Sequence, residues 1–405
     1  MVFFVLLAII LIIVKLFDEY FGKKHLPIVL GEVIAGILLA TFLKVISEEL
    51  FNAGVSIVYD VFSSLGIIFL MFISGLETDV NLIKRSLKYG MSTAILGSFL
   101  PFAITFAYII FTVGDVKLAK IYATIAIATS VGITVRVLSD LGALNTVVGT
   151  TIISAAVIDD IIGIIVLGIS LGANDPYLTS IGVLAFFIFI LMFYTLIAEK
   201  ISSAIEKVFH SPYSYVSIAI VFVLLFSALA KTLGLAAITG AYFAGVIVGK
   251  TKERRIILEN IRGIGYALFI PLFFVGIGFK LIQELFILEA ESHLLLIQML
   301  KSPIPYVFVT LAILGKVIGS VIGSRSLGLN LKESFIVGFG MVPRMEIALT
   351  VATLAVSTLE LSSVEISQII YSTIVLVVAS SLITPPIIQF LLKNKKRERS
   401  VKSSK

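Results

Sequence analysis

The chain has 405 residues, of which 59% are hydrophobic and only 14% charged, with no cysteine, a mean hydropathy of +1.13 and a formal net charge of +6. Soluble domains carry about 25% charged residues, so the composition excludes a soluble enzyme or a nucleic-acid-binding domain and points to an all-α polytopic membrane protein. Thiol and disulfide chemistry are excluded by the missing cysteine.

Taken in order, about thirteen apolar runs are long enough to cross a bilayer. They cover residues 2–21, 26–45, 55–77, 85–112, 118–138, 146–171, 178–200, 213–231, 235–249, 261–280, 303–324, 332–356 and 365–392. Met1 opens directly into the first run without a basic leader, which is not a signal-peptide pattern. Segment 235–249 is short for a span. The connection 281–302 is itself apolar and is expected to lie along the interface. Residues 393–405 form a basic tail on a single membrane unit of residues 1–392.

Charge orients these runs. The odd-numbered connections and the tail hold 22 of the 31 Lys and Arg, Arg136 among them, whereas the even ones hold six: Lys44, Lys117, Lys120, Lys231, Lys280 and Lys301. By the positive-inside rule the odd connections and C-terminus are cytoplasmic and the N-terminus is outside. An odd number of spans also requires the termini to lie on opposite sides, which is consistent with this. The tail reads as a topology anchor, with no nucleic-acid role.

The first half matches the second. Gly31, Ala35 and Gly36 repeat as Gly240, Ala244 and Gly245, 209 residues on, and the stretch around Gly75 aligns with that around Gly276, 201 residues on. The repeats are residues 1–172 and 213–392, joined by a linker helix at 178–207. Six spans on either side of one odd helix place the halves in opposite orientations, an inverted repeat of the kind that builds secondary transporters.

Two spans carry the means to break. Thr129, Ser130, Gly132 and Thr134 lie mid-span in the first half; Gly338, Gly340 and Pro343 lie in the corresponding span of the second. Proline removes a donor and disfavours helix at the residue before it. Unwound backbone at mid-membrane is tolerated where protein or water covers it, and half-helix ends there present polar groups to ions.

The strongest chemical signal is Asp159-Asp160. No basic residue lies near them in sequence between Arg136 and Lys200. Each carboxylate at mid-membrane costs roughly 2.5–3.5 kcal/mol on insertion scales, so the default reading is an ion or proton site. Lys316 and Arg344, both inside spans, are the natural counter-charges. Gly315, Gly319 and Gly323 form a stripe that permits close helix approach, with Ser320 and Ser324 on the Lys316 face. All three His residues lie in connections, and no nucleophile–base or metal-cofactor spacing marks an enzyme.

Ala128-Thr129-Ser130 through Leu141-Gly142, followed by Val157-Ile158-Asp159-Asp160, resembles two helices of sodium/proton antiporters of the cation:proton antiporter superfamily. Leu26-Pro27 through Glu32, Gly75-Leu76-Glu77 and Pro343-Arg344-Met345-Glu346 extend the likeness over nearly the whole chain. The resemblance is to the branch with paired aspartates. It implies a homodimer in the cell membrane, with a mobile core of helices at about 85–171 and 303–392 that moves as an elevator past a scaffold made of the remainder. Asp160 would be the principal Na⁺-binding carboxylate, Asp159 would pair with Lys316, and Thr129 and Ser130 would help line the Na⁺ site. Arg344 and Glu346 would stabilise the crossing. The implied activity is electrogenic exchange of Na⁺ or Li⁺ for H⁺, without a cofactor. A K⁺/H⁺ exchanger is the alternative, and a non-transporting membrane sensor a more distant one.

Overall fold

The computed structural model describes residues 2–24, 26–171, 176–197, 211–233, 235–291 and 299–403; inside these ranges some side chains, those of Glu346 and of residues 394–403 among them, are not described. Among the described residues the chain is helical, with no strand. The first half runs through α1 (Val2–Lys23), α2 (Ile28–Ile46), α3 (Glu48–Val55), α4 (Ser64–Glu77), α5 (Val80–Val113), α6 (Val116–Ile127), α7 (Gly132–Asp140) and α8 (Val147–Leu171). After α9 (Pro176–Met192) come α10 (Pro212–Thr232), α11 (Ala237–Val248), α12 (Arg254–Ile264), α13 (Ile270–Glu291), α14 (Ile304–Ser326), α15 (Leu331–Gly340), α16 (Met345–Thr358) and α17 (Ser363–Ser403). Of the linker expected at 178–207, residues 198–207 lie outside the described residues.

Among the described residues eight helical stretches are long and apolar enough to cross a membrane, and four shorter apolar helices accompany them, including α4 and α11. Local chemistry sets several helix starts. The Asp79, Asp115 and Asn330 side chains accept from the backbone N–H groups of Asn81, Lys117 and Glu333 at 2.8, 2.6 and 2.8 Å, which satisfies donors a helix N-terminus leaves open. Among the described residues three stretches leave regular α-helix, one of them the π-helical Phe193–Ile197 after α9. Wider π-helical turns at Ser56–Ser63 and Gly265–Phe269 precede α4 and α13. The connection expected at 281–302 starts later, because α13 continues to Glu291; residues 292–298 lie outside the described residues.

Packing repeats as the helices do. α2 lies on α13 as α11 lies on α4, α1 on α2 as α10 on α11, and α5 packs along α14. The glycines fix the registers. A Cβ on Gly31 would stand 2.9 Å from Phe21 and 3.2 Å from the Phe17 carbonyl; one on Gly240 would stand 2.9 Å from Ala230 and 2.2 Å from the Phe226 carbonyl. Both neighbours are displaced by the same 209 residues as the glycines. The second expected match needs correction. Gly75 faces Gly245 and Gly278 faces Gly36, while the Phe72 and Val275 carbonyls each lie 2.3 Å from a Cβ built on the partner glycine. Gly75 therefore corresponds to Gly278, not Gly276. Sequence similarity could not choose between two glycines two positions apart; only backbone contact selects one.

The stripe on α14 does what small residues permit. A Cβ on Gly319 would lie 2.2 Å from the Leu96 carbonyl and one on Gly323 would lie 2.4 Å from that of Ser92, so α5 and α14 touch backbone to backbone. This close pair delivers Ser98 and Lys316 to the same depth.

Arg136 also departs from expectation. It was grouped with the connection charges, but it sits inside α7, 4% exposed, 3.5 Å from the fully buried Glu32 carboxylate and donating to Asp140 at 3.1 Å. Its guanidinium lies 4.5 Å over the Tyr266 ring. The charge asymmetry of the connections survives its removal.

Candidate functional site

Both expected breaks are present, and they meet. α6 ends at Ile127 and α7 starts at Gly132; α15 ends at Gly340 and α16 starts at Met345. The extended segments between them cross, with the Ser130 N–H donating to the Pro343 carbonyl at 2.8 Å and the Thr134 hydroxyl to the Gly340 carbonyl at 2.7 Å. Each interrupted helix leaves carbonyls without partners at its C-terminal end. Arg344, fully buried, donates to several of them: Ala126 at 2.9 Å, and Met341 and Val342 at 2.9 Å each. It also reaches the Thr129 hydroxyl at 3.3 Å. A guanidinium with five donors in a plane suits a crossing where carbonyls converge from two chain segments. The side chain of Glu346 lies outside those described.

α8 passes this crossing and presents Asp159 and Asp160. Neighbouring residues on a helix point about 100° apart, so the two carboxylates enter different surroundings. Asp159, 4% exposed, faces α14. Lys316 donates to both of its oxygens at 2.8 Å, and Ser98 of α5 donates to Oδ1. The ammonium also reaches the Ile127 carbonyl at 3.4 Å, at the C-terminus of α6, where the helix dipole favours a cation. Asp160 is half-buried and faces a cavity of about 200 Å³ lined by Thr124, Thr129, Asp159, Gly163 and Val351, among others. The Thr239 hydroxyl, from α11, donates to its Oδ2 at 3.0 Å.

Asp159, Asp160, Lys316 and Thr129 therefore come together, with Arg344 behind Thr129. Ser130 is fully buried in the break. Ser98 and Thr239 are additions that sequence reasoning missed, since one hydroxyl in an apolar run usually bonds back to its own helix. The arrangement offers one carboxylate compensated by a buried lysine and a second beside an accessible cavity. Its donors are hard oxygens, which suit alkali cations as cargo. Among the described residues no group of three or more His, Cys, Asp or Glu gathers to hold a metal ion.

A twofold-repeated helical membrane fold with two interrupted helices crossing beside buried carboxylates defines a secondary transporter of ions. Residues 4–394 match the family described as sodium/hydrogen exchanger, transmembrane, and the chain belongs to it; the family is one of ion exchangers, not enzymes. Similar proteins include a Na⁺/H⁺ antiporter of Enterococcus hirae, 32% identical over 97% of this chain and 99% of its own. The Na⁺/H⁺-K⁺ antiporter GerN of Bacillus cereus is 32% identical over 100% of this chain and 99% of its own. The fold is that of the sodium proton antiporter MjNhaP1 of Methanocaldococcus jannaschii, with a TM-score of 0.60 at 14% identity over 96% of this chain and 98% of that one.

Proposed function

We propose that the protein exchanges Na⁺, or Li⁺, for H⁺ across the cell membrane. The observation that carries this reading is the division of labour between two adjacent carboxylates: Asp159 held by Lys316, and Asp160 beside a cavity. A carboxylate holds either a cation or a proton, so loading one releases the other.

The chain crosses the membrane thirteen times, with its N-terminus outside and its C-terminus cytoplasmic, and it works as a homodimer. Helices at about 85–171 and 303–392 form a mobile core that carries the site past a scaffold made of the rest, an elevator. With this topology the cavity lies on the outer side of the aspartates, because Gly163, Leu167 and Val351 all follow the site on the way to even-numbered connections. Below the aspartates Ile67 and Phe273 abut Gly132, Arg136 is buried against Glu32, and a separate cavity of about 240 Å³ opens beside Val137 and Asp140.

The name of GerN, which includes potassium, keeps K⁺/H⁺ exchange as the second reading. Purified protein in vesicles, given Na⁺, Li⁺ or K⁺ under an imposed pH gradient, separates the two. Na⁺ and Li⁺ are expected to drive proton movement and K⁺ much less, with Asp160→Asn abolishing the response. Near-normal flux in Asp160→Asn would remove Asp160 from the site, and a response to K⁺ alone would transfer the reading to potassium.

A further inference from the structure

Thr239 spends its hydroxyl differently from most of its kind in this chain. Thr41, Thr78, Thr124 and Thr151 each donate to the carbonyl four residues back in their own helix. Thr239, 2% exposed, donates instead across 79 residues to Asp160 Oδ2 at 3.0 Å. It stands in the first turn of α11, the end of a helix near which a carboxylate is favoured.

The element that holds Thr239 is firmly seated away from α8. A Cβ on the adjacent Gly240 would meet the Phe226 carbonyl of α10 at 2.2 Å, and one on Gly245 would meet the Phe72 carbonyl of α4 at 2.3 Å. α8 packs chiefly on α5 and α6. Asp160 is therefore oriented by a hydroxyl from a different packing unit, one that α10 and α4 hold in place.

We propose that Thr239 is a positioning residue of the cation site, through which the scaffold helix α11 fixes the Asp160 carboxylate toward the cavity. This rests on the reading of Asp160 as the ion-binding carboxylate. A carboxylate has about four lone-pair directions; the bond from Thr239 fixes the angle at which this one meets an alkali cation such as Na⁺. The contact joins two units that separate when the core moves, so it is remade once per cycle and acts on binding at one face only.

The test uses the full chain in proteoliposomes with Na⁺ as the probe, comparing wild type, Thr239→Val, Thr239→Ser and Asp160→Asn. Hydrogen bonds to charged groups are among the stronger ones, and losing this one is expected to raise the KM for Na⁺ roughly tenfold. The maximal rate is expected to stay the same or rise, because a bond that breaks at each reorientation no longer has to. Thr239→Ser, which keeps the hydroxyl, is expected to restore the wild-type KM; a role in packing alone predicts no such split between KM and rate. An unchanged KM in Thr239→Val overturns the inference. So does an equal loss of rate in both the Val and Ser variants, which assigns Thr239 to the packing of α11. If Asp160→Asn still exchanges normally, the reading beneath the inference fails with it; if that variant is inactive while Thr239→Val is unaltered, only the inference fails.

Discussion

At the residue scale the main question is what Lys316 does for Asp159. Both are buried, and the ammonium bonds both carboxylate oxygens. A pair of this kind is weak evidence for net stability, because desolvating two ions offsets most of their attraction. Removing one member is another matter, since the survivor is left charged and unpaired at a cost of about 3–5 kcal/mol. Lys316→Gln is therefore expected to lower the melting temperature of the detergent-solubilised protein markedly. Asp159→Asn combined with Lys316→Gln is expected to recover most of that loss, the two neutral amides having each other and Ser98 as partners. A double variant no more stable than Lys316→Gln would mean that the ammonium stabilises something other than Asp159, with the Ile127 carbonyl at the end of α6 the next contact to test. The same reasoning explains why the buried charges were legible in the sequence, since few charges stand in apolar runs; the pairing of Asp159 with Lys316 came from the family resemblance, and Arg344, the other counter-charge read there, bonds carbonyls instead. Ser98 and Thr239 gave no such signal, because a hydroxyl is cheap to place in a helix that can satisfy it with its own carbonyls.

At the element scale, backbone contact decides where the site stands. Gly319 lies where α5 and α14 meet, and a side chain there has a carbonyl oxygen in its way rather than a side chain that could move. Overpacking typically costs 1–3 kcal/mol, and a backbone obstacle places Gly319→Val at about the upper end of that range or beyond. Gly263→Ala is the control. Gly263 sits inside α12 with nothing within 4 Å of a built Cβ, so alanine there is expected to be neutral or slightly stabilising, as helix propensity favours it. Equal melting temperatures for the two variants would contradict the close approach of α5 and α14. The glycine stripe and both helix breaks could be read in advance because each has a local cause: spacing of four for the stripe, Pro343 and its neighbouring glycines for the second break. The register of the second repeat match and the burial of Arg136 have no local cause. Gly276 and Gly278 are equivalent until α2 is packed against them. Arg136 looks like a connection charge until Glu32, 104 residues earlier, is brought to it.

At the scale of the whole molecule the open property is charge movement. Suppose that Asp159, Asp160 and Lys316 together release two protons when one Na⁺ binds. Each cycle then moves one net charge, and the membrane potential contributes about 2.3 kcal/mol per charge for every 100 mV. Such an exchanger can expel Na⁺ without any pH gradient, driven by voltage alone. The second proton has to come from the Asp159–Lys316 pair, since Asp160 alone exchanges one for one. Replacing Lys316 by Gln removes one titrating group, so the variant that still exchanges is expected to respond less to voltage, down to electroneutral exchange. Proteoliposomes with a potassium-diffusion potential of either sign make the measurement: wild-type Na⁺/H⁺ exchange should accelerate with one polarity and slow with the other. Wild-type protein indifferent to the potential would refute the two-proton scheme. The buried lysine would then be a fixed counter-ion, and Asp160 alone would carry the exchange.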